Sequence, residues 1–410
     1  MSKLTHIELF SGCGGLLDGF EKTKKYNTIA AVEWMRPQVN TLISRLKTKY
    51  ICKDADSRVL HFDIQRTDEL FSGWFNDKDY GTSHGLDSLV GHKSIDVISG
   101  GPPCQAYSIA GRIRDNEGMK NDYRNFLFES YIKVVARYQP KIVVFENVEG
   151  ILTAIPTGEK ITNLICKSFN DIGYEIIDDL RKFALFDLSE FGVPQKRKRI
   201  IIIGVRKDII NVDYQAILRD FYIAIAEQMK EPMKTVHDAI ADLPAIYPLK
   251  EPSKRQAYEN DSLINGHSVR FHNKRDQEIF YELAKDIQDG NNNYSNATAL
   301  IKLYHQKTGK NTKVHKYHVL KWQEPSNTIP AHLKKDGLRH IHPDPNQKRS
   351  ITVREAARLQ TFDDDFLFTE SQSDNFEMIG NAVPPLFAKK LAFSIASFIN
   401  LINQIEILNN

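Results

Sequence analysis

Residues able to do chemistry collect in a few short stretches. The run Gly100-Gly-Pro-Pro-Cys104 follows an apolar segment, Ile95–Ile98, that reads as a short buried strand. Two glycines let the backbone turn and approach a ligand closely, and two prolines hold it extended and stiff. Cys104 then stands on a rigid ledge ahead of a polar loop carrying Ser108, Gly111 and Gly118. That is how a thiol nucleophile would be presented; the competing reading, a small buried hydrophobe, explains neither ledge nor loop. Glu146 follows the apolar run Lys141–Phe145, at the strand end where open α/β sheets bind ligands, and is a candidate acid. Arg197 and Arg199 alternate just before the strand Ile200–Gly204. Alternation places both on one side, facing one cleft edge, where an anion or a carbonyl would explain them.

The elements that must position these groups form an α/β pattern. His6–Phe10 reads as a first strand, and Ser11-Gly-Cys-Gly-Gly15 turns it into a helix from Leu16 to Lys24. Such a turn suits a nucleotide-like cofactor, although Leu17 stands where the dinucleotide fingerprint needs glycine. A second strand, Thr28–Val32, ends in Glu33 and Trp34: a carboxylate for both ribose hydroxyls and an indole for stacking on adenine. Asp63 and Ile64 close a third strand, with Asp63 placed to accept from an adenine amino group. Residues 66–94 read as a polar surface insertion with no assignable chemistry. Asn125–Tyr138 shows helical spacing, and a further helix (Ile161–Phe169) and strand (Glu175–Asp178) precede the arginines.

Composition narrows the class. The 410 residues carry a formal charge of +3, so any nucleic-acid surface must come from local clustering. Between Lys302 and Arg349, eleven Lys/Arg stand against three acids, a local net of +8 that suits phosphates. Histidines 305, 315, 318, 332, 340 and 342 lie there without the spacing of a metal site, and no metal is expected. The four cysteines are scattered, which argues for a reducing cytoplasm. No signal peptide and no apolar stretch long enough for a membrane are apparent. From Lys207 to Arg349 regular alternation dissolves into polar, loop-rich sequence. It returns with a helix after Thr352, where Glu355 completes a capping box, and with an apolar core helix from Leu386 to Leu401.

Taken in order, these stretches resemble the DNA (cytosine-C5) methyltransferases of bacterial restriction-modification type. The matching runs are Phe10–Gly15, Glu33-Trp34, Asp63-Ile64, Gly-Pro-Pro-Cys104-Gln, Asp122–Leu127 and Phe145–Val148. Val193–Arg199, Arg354–Gln360 and Ile379–Pro384 continue the series at the other end of the chain. The resemblance implies a Rossmann-like, S-adenosylmethionine-dependent methyltransferase sheet with a second, smaller, loop-rich target recognition domain. Residues 1–232 plus 352–410 would form the catalytic domain and 233–351 the recognition domain. S-adenosyl-L-methionine would lie over Phe10, Ser11, Gly12, Cys13, Gly14, Gly15 and Leu16, with ribose on Glu33. Adenine would sit near Trp34, Asp63, Ile64 and Leu127, the methionine part near Asn381 and Val383, and Pro102 would also line the cofactor site.

The implied reaction is methyl transfer to C5 of a cytosine flipped out of duplex DNA, through a covalent bond from Cys104 to C6. Glu146 would hold the N3 and amino edge, and Arg199, with Arg197 in support, the O2 carbonyl or a phosphate. The base that removes the C5 proton has no candidate. Two alternatives remain: the same chemistry acting on tRNA, which the long basic segment argues against, and a catalytically silent DNA-binding relative, which need not keep Cys104, Glu146 and Arg199 together. A monomer, with a restriction endonuclease acting on the same site, completes the expectation.

Overall fold

A computed structural model describes residues 2–103, 127–155, 158–208 and 212–409; Cys104 and its loop lie outside them. The chain divides into two compact units, Met1–Phe191 with Lys198–Glu231 and Val383–Asn410, and Gly192–Arg197 with Pro232–Ala382.

The first unit is built on one mixed sheet. Its strands are β1 (Leu4–Leu9), β2 (Tyr26–Glu33), β3 (Val59–His61), β6 (Val97–Gly100), β7 (Ile142–Val148), β8 (Tyr174–Ile176), β9 (Leu185–Asp187) and β11 (Lys198–Arg206). A small separate hairpin is made by β4 (Trp74–Asp77) and β5 (Gly81–Ser83). The sheet order is β3-β2-β1-β6-β7-β11-β8, with β9 also on β11. Pairing is parallel from β3 to β7 and antiparallel around β11. Ile7, Leu9, Val97, Ile98, Val143 and Val144 are fully buried, as strands covered on both faces require. Sheet order turns away in both directions from β1, so a crevice opens at the carboxyl ends of β1 and β6.

Helix α1 (Gly15–Lys22) leaves the first strand through the glycine turn, and α2 (Arg36–Lys49) follows β2. The C-terminal helix Pro385–Asn409 returns to α1: Gly19 packs against Ala388, and the Tyr26 hydroxyl donates to Ala392 O at 2.7 Å. By length and composition the helical stretch Gln372–Ile407 could cross a membrane, contrary to the sequence expectation. Phe387, Leu391, Ile395, Ile399 and Ile402 are nevertheless fully buried, so its apolar character is spent on the core.

The second unit has more helix than the polar sequence promises. Lys274–Gln288 and Ala297–Thr308 are helices, and Ile279, Phe280, Leu283 and Leu303 join Tyr317, Val319 and Ile341 in one core. The helix Val353–Leu359 has the expected capping box, Thr352 with Glu355. Glu355 is also held bidentately by Arg349, at 2.6 and 2.7 Å, with both side chains buried. His272, His340 and His342 are buried here. His342 Nδ1 accepts the Asp344 N–H at 3.1 Å, and burial pushes His272, His340 and His342 down to about 3, keeping the rings neutral.

Candidate active site

The parallel register brings the proposed site residues of the first unit to one sheet edge. Leu9 pairs with both Val32 and Gly100, Gly100 with Phe145, and Glu33 with His61. The turn after β1, the tip of β2 and the Gly101–Pro102 ledge therefore leave the sheet together, beside Glu146 of β7.

Phe10 opens the turn with φ +55, a left-handed conformation that a non-glycine residue adopts only when its surroundings impose it. Glu33 closes the turn from the neighbouring strand. One carboxylate oxygen accepts the Gly12 N–H at 2.8 Å, and the other accepts the N–H groups of Trp34 and Met35 at 2.9 Å. Burial raises the Glu33 carboxyl above its ordinary value, and the three backbone donors work against that. A carboxylate has about four acceptor positions, so one is left here, where the sequence reading assigned two ribose hydroxyls. Ser11 is held by Val32 O, and Cys13 is fully buried with its thiol pushed well up, which removes it as a nucleophile. Leu17 packs against Val39 and Leu42 of α2, so the missing glycine of the dinucleotide fingerprint is filled by core.

Trp34 keeps 53% of its surface exposed, an open indole face beside this turn. Asp63 accepts from Gln65 N at 3.0 Å, while Ile64 and Leu127 are buried. Asn381 ends the helix Gln372–Asn381 of the second unit and is exposed; Val383, in the first unit, is buried.

Glu146 lies inside β7, two residues before its end rather than just beyond it, because the antiparallel ladder to β11 continues to Val148. Arg199 pairs with Val148 across that ladder, and its diagonal reach brings Nε to 2.7 Å from Glu146 Oε1. Burial pulls the Arg199 guanidinium down and Glu146 pulls it back up; it remains a cation at neutral pH. Arg197 does not share this position. The strand breaks at that residue, between β10 (Gln195–Lys196) and β11, so the alternation argument fails there. Arg197 is buried in the second unit and donates to Ile329 O at 3.0 Å, Gly380 O at 3.0 Å and Ala382 O at 2.9 Å.

Two contributors escaped the sequence reading. Asn147 Nδ2 donates to Pro102 O at 3.1 Å and so anchors the ledge that leads to Cys104. Glu8 of β1 is buried, with Oε2 lacking a hydrogen-bond partner and its carboxyl raised by burial and by the nearby Glu33 charge. An acid inside an apolar strand was the available signal for it.

A family model for C-5 cytosine-specific DNA methylases matches residues 4–397. The chain belongs to that family. The methylase is 32% identical over 455 residues to the type II methyltransferase M.Bpa9945I of Bacillus paralicheniformis, covering 96% of this chain and 99% of that one. It is 30% identical over 395 residues to type II methyltransferase M1.HphI of Haemophilus parahaemolyticus, covering 96% and 86%. A crystal structure described as a prophage-encoded DNA modification methyltransferase of E. coli superimposes with TM-score 0.63 at 24% identity, covering 97% of this chain and all of that one. The S. pombe Dnmt2 methyltransferase gives 0.55 at 15%, covering 98% and 100%. Both structures are likenesses of fold. The methylase is therefore a DNA cytosine-C5 methyltransferase on an α/β, Rossmann-like sheet, and its family implies S-adenosylmethionine as methyl donor. The residues at the sheet edge fit that cofactor: a β-carbon at Gly12 would meet nothing within 4 Å, and Glu8 offers an orphaned buried oxygen.

Proposed function

We propose that the methylase transfers a methyl group to C5 of a flipped-out cytosine in a specific duplex DNA sequence, through a covalent bond from Cys104 to C6. The observation that carries this reading is the partly buried Glu146–Arg199 pair, set against the Gly101–Pro102 ledge that immediately precedes Pro103-Cys104. Cytosine C5 is a poor nucleophile on its own. When the Cys104 thiolate adds to C6, a C–S bond forms and electron density moves onto C5, which becomes enamine-like. Glu146 holds the N3 and amino edge and shares a proton there as charge develops, while Arg199 fixes the Glu146 carboxylate and reaches the O2 side. S-adenosylmethionine supplies the electrophilic methyl. A base then takes the C5 proton, and the C6–S bond breaks to return the thiolate. Both ring faces must be open for this sequence, which a stacked base forbids, so the cytosine leaves the helix.

For the cofactor, Phe10–Leu16 form the floor, Glu33 takes one ribose hydroxyl, Trp34, Asp63, Ile64 and Leu127 surround adenine, and Pro102 lines the same site. Asn381 and Val383 serve the methionine end. Arg197 acts as a buried clamp on the carbonyls of Ile329, Gly380 and Ala382 rather than at the base. The +8 segment 302–349, within residues 233–351, reads the target, and 1–232 with 352–410 carry out catalysis. The type II relatives support a restriction-modification setting; a partner endonuclease, a monomeric enzyme and a cytoplasmic location complete the proposal. Bisulfite sequencing of DNA from cells expressing the methylase tests the whole reading. Protected cytosines at one recurring sequence, lost with Cys104→Ala, are expected; no protected cytosine would overturn it.

A further inference from the structure

Residues 66–94 are not the plain surface insertion expected from their polarity. After helices α3 (Ala55–Arg58) and α4 (Thr67–Ser72) comes the β4–β5 hairpin, and α5 (Gly85–Val90) follows it, with Leu70, Trp74, Leu86 and Val90 buried. The hairpin is fixed at its root. A β-carbon on Gly73 (φ +99) would stand 2.6 Å from Ser83 O, and one on Gly85 (φ +74) 2.5 Å from Gly73 N. Only glycines allow that backbone contact.

From this root the hairpin reaches the tip of β3. Trp74 stacks on Phe62 with ring centres 3.8 Å apart, and its indole N–H donates to Tyr80 O at 3.2 Å. The Tyr80 ring packs against His61 at 4.9 Å and Phe62 at 5.1 Å. Arg66 covers both Phe62 and Tyr80, at 4.7 and 5.8 Å, and is itself tied to Asp77 at 2.7 Å. His61 Nε2 lies 2.8 Å from Trp34 O. A carbonyl can only accept, so Nε2 carries the proton and fixes the tautomer. Burial, followed by the Arg36 charge, lowers the His61 pKa and keeps the ring neutral.

We propose that the β4–β5 hairpin braces the adenine end of the cofactor site: Tyr80 holds the His61 ring, and His61 holds the Trp34 backbone so that the indole face is presented. This rests on the reading of Trp34 as the adenine platform. His61 and Tyr80 are positioning residues; an indole already ordered in the free enzyme spares the cofactor the cost of ordering it.

The test measures S-adenosylmethionine binding by calorimetry together with steady-state kinetics on duplex DNA. Tyr80→Ala and His61→Leu should each weaken binding and raise KM for the cofactor, by roughly three- to tenfold. The kcat at saturating cofactor and KM for DNA should stay put. Tyr80→Phe keeps the ring, and His61→Gln keeps an N–H for Trp34 O, so both should restore wild-type affinity. Phe75→Ser, on the exposed side of the hairpin, should leave affinity unchanged. If Trp34→Ala weakens binding while Tyr80→Ala and His61→Leu do not, the brace is wrong and the platform stands. If Trp34→Ala binds as wild type, the platform reading fails and the brace fails with it.

Discussion

Oε2 of Glu146 lies 2.5 Å from the point where a β-carbon on Gly101 would stand. The carboxylate cannot simply swing away, because Arg199 holds its other oxygen at 2.7 Å. Gly101→Ala should therefore displace Glu146 from its working position. Since misplacement by about 1 Å can cost ~10²-fold, single-turnover methyl transfer should slow by about that factor. The thermal midpoint should hardly move, as only one side chain must shift. A normal rate would mean that Glu146 tolerates displacement and is not a precisely placed group.

Glu33 joins the turn, the strand tip and the proposed ribose contact. Glu33→Ala should weaken S-adenosylmethionine binding by roughly 1.5–3 kcal/mol, as expected for a charge-assisted hydrogen bond and the turn it secures. Calorimetry on the folded variant measures this, and unchanged affinity removes Glu33 from the site.

How much of this was legible in the chain depends on how local each signal is. The Phe10–Gly15 turn, Glu33 and the Thr352–Glu355 capping box are spelled out by adjacent residues and were readable. Glu146 was placed beyond its strand because the strand is extended to Val148 by β11, a partner some fifty residues away. Arg197 and Arg199 looked equivalent because alternation presumes an unbroken strand, and the break at Arg197 has no local mark. Helix Lys274–Gln288 hid because its apolar positions, Ile279, Phe280 and Leu283, are outnumbered by charge. Hairpin β4–β5 hid because its order comes from aromatic contacts with β3, beyond the reach of any local pattern.

The Arg349–Glu355 pair ties the helix Val353–Leu359 to the preceding turn. Burial works to raise the Glu355 carboxyl, but the Arg349 charge and hydrogen bonds reverse that and hold it far below the carboxylate range. A depressed carboxyl contributes stability that is complete above its unfolded value, near 4.5, and is lost as pH falls below it. Glu355→Gln should cost about 3–5 kcal/mol at pH 7 by stranding a buried guanidinium. Urea midpoints of variant and wild type should converge as pH drops below the ordinary carboxylate value; a gap independent of pH would contradict the assignment.

DNA affinity should fall with salt at a slope of about −0.9 per phosphate contacted. Lys313, Lys316 and Lys335 are exposed, whereas Lys334 is paired with Glu377 at 2.7 Å. Neutralising the three exposed lysines should flatten the slope in a fluorescence titration, and Lys334→Gln should alter it least. An untouched slope moves the DNA surface elsewhere.

The central claim is that Cys104 adds to C6, and a duplex carrying 5-fluorocytosine at the target base tests it most directly. Fluorine cannot leave C5 as a cation, so release after methyl transfer is blocked and the enzyme should stay attached to its DNA. With S-adenosylmethionine present, the wild type should give an adduct that survives denaturing electrophoresis, as should Cys13→Ala, Cys52→Ala and Cys166→Ala. Cys104→Ala should give none while still binding the duplex. An adduct formed by Cys104→Ala, or none formed by the wild type on its own target, would contradict the account.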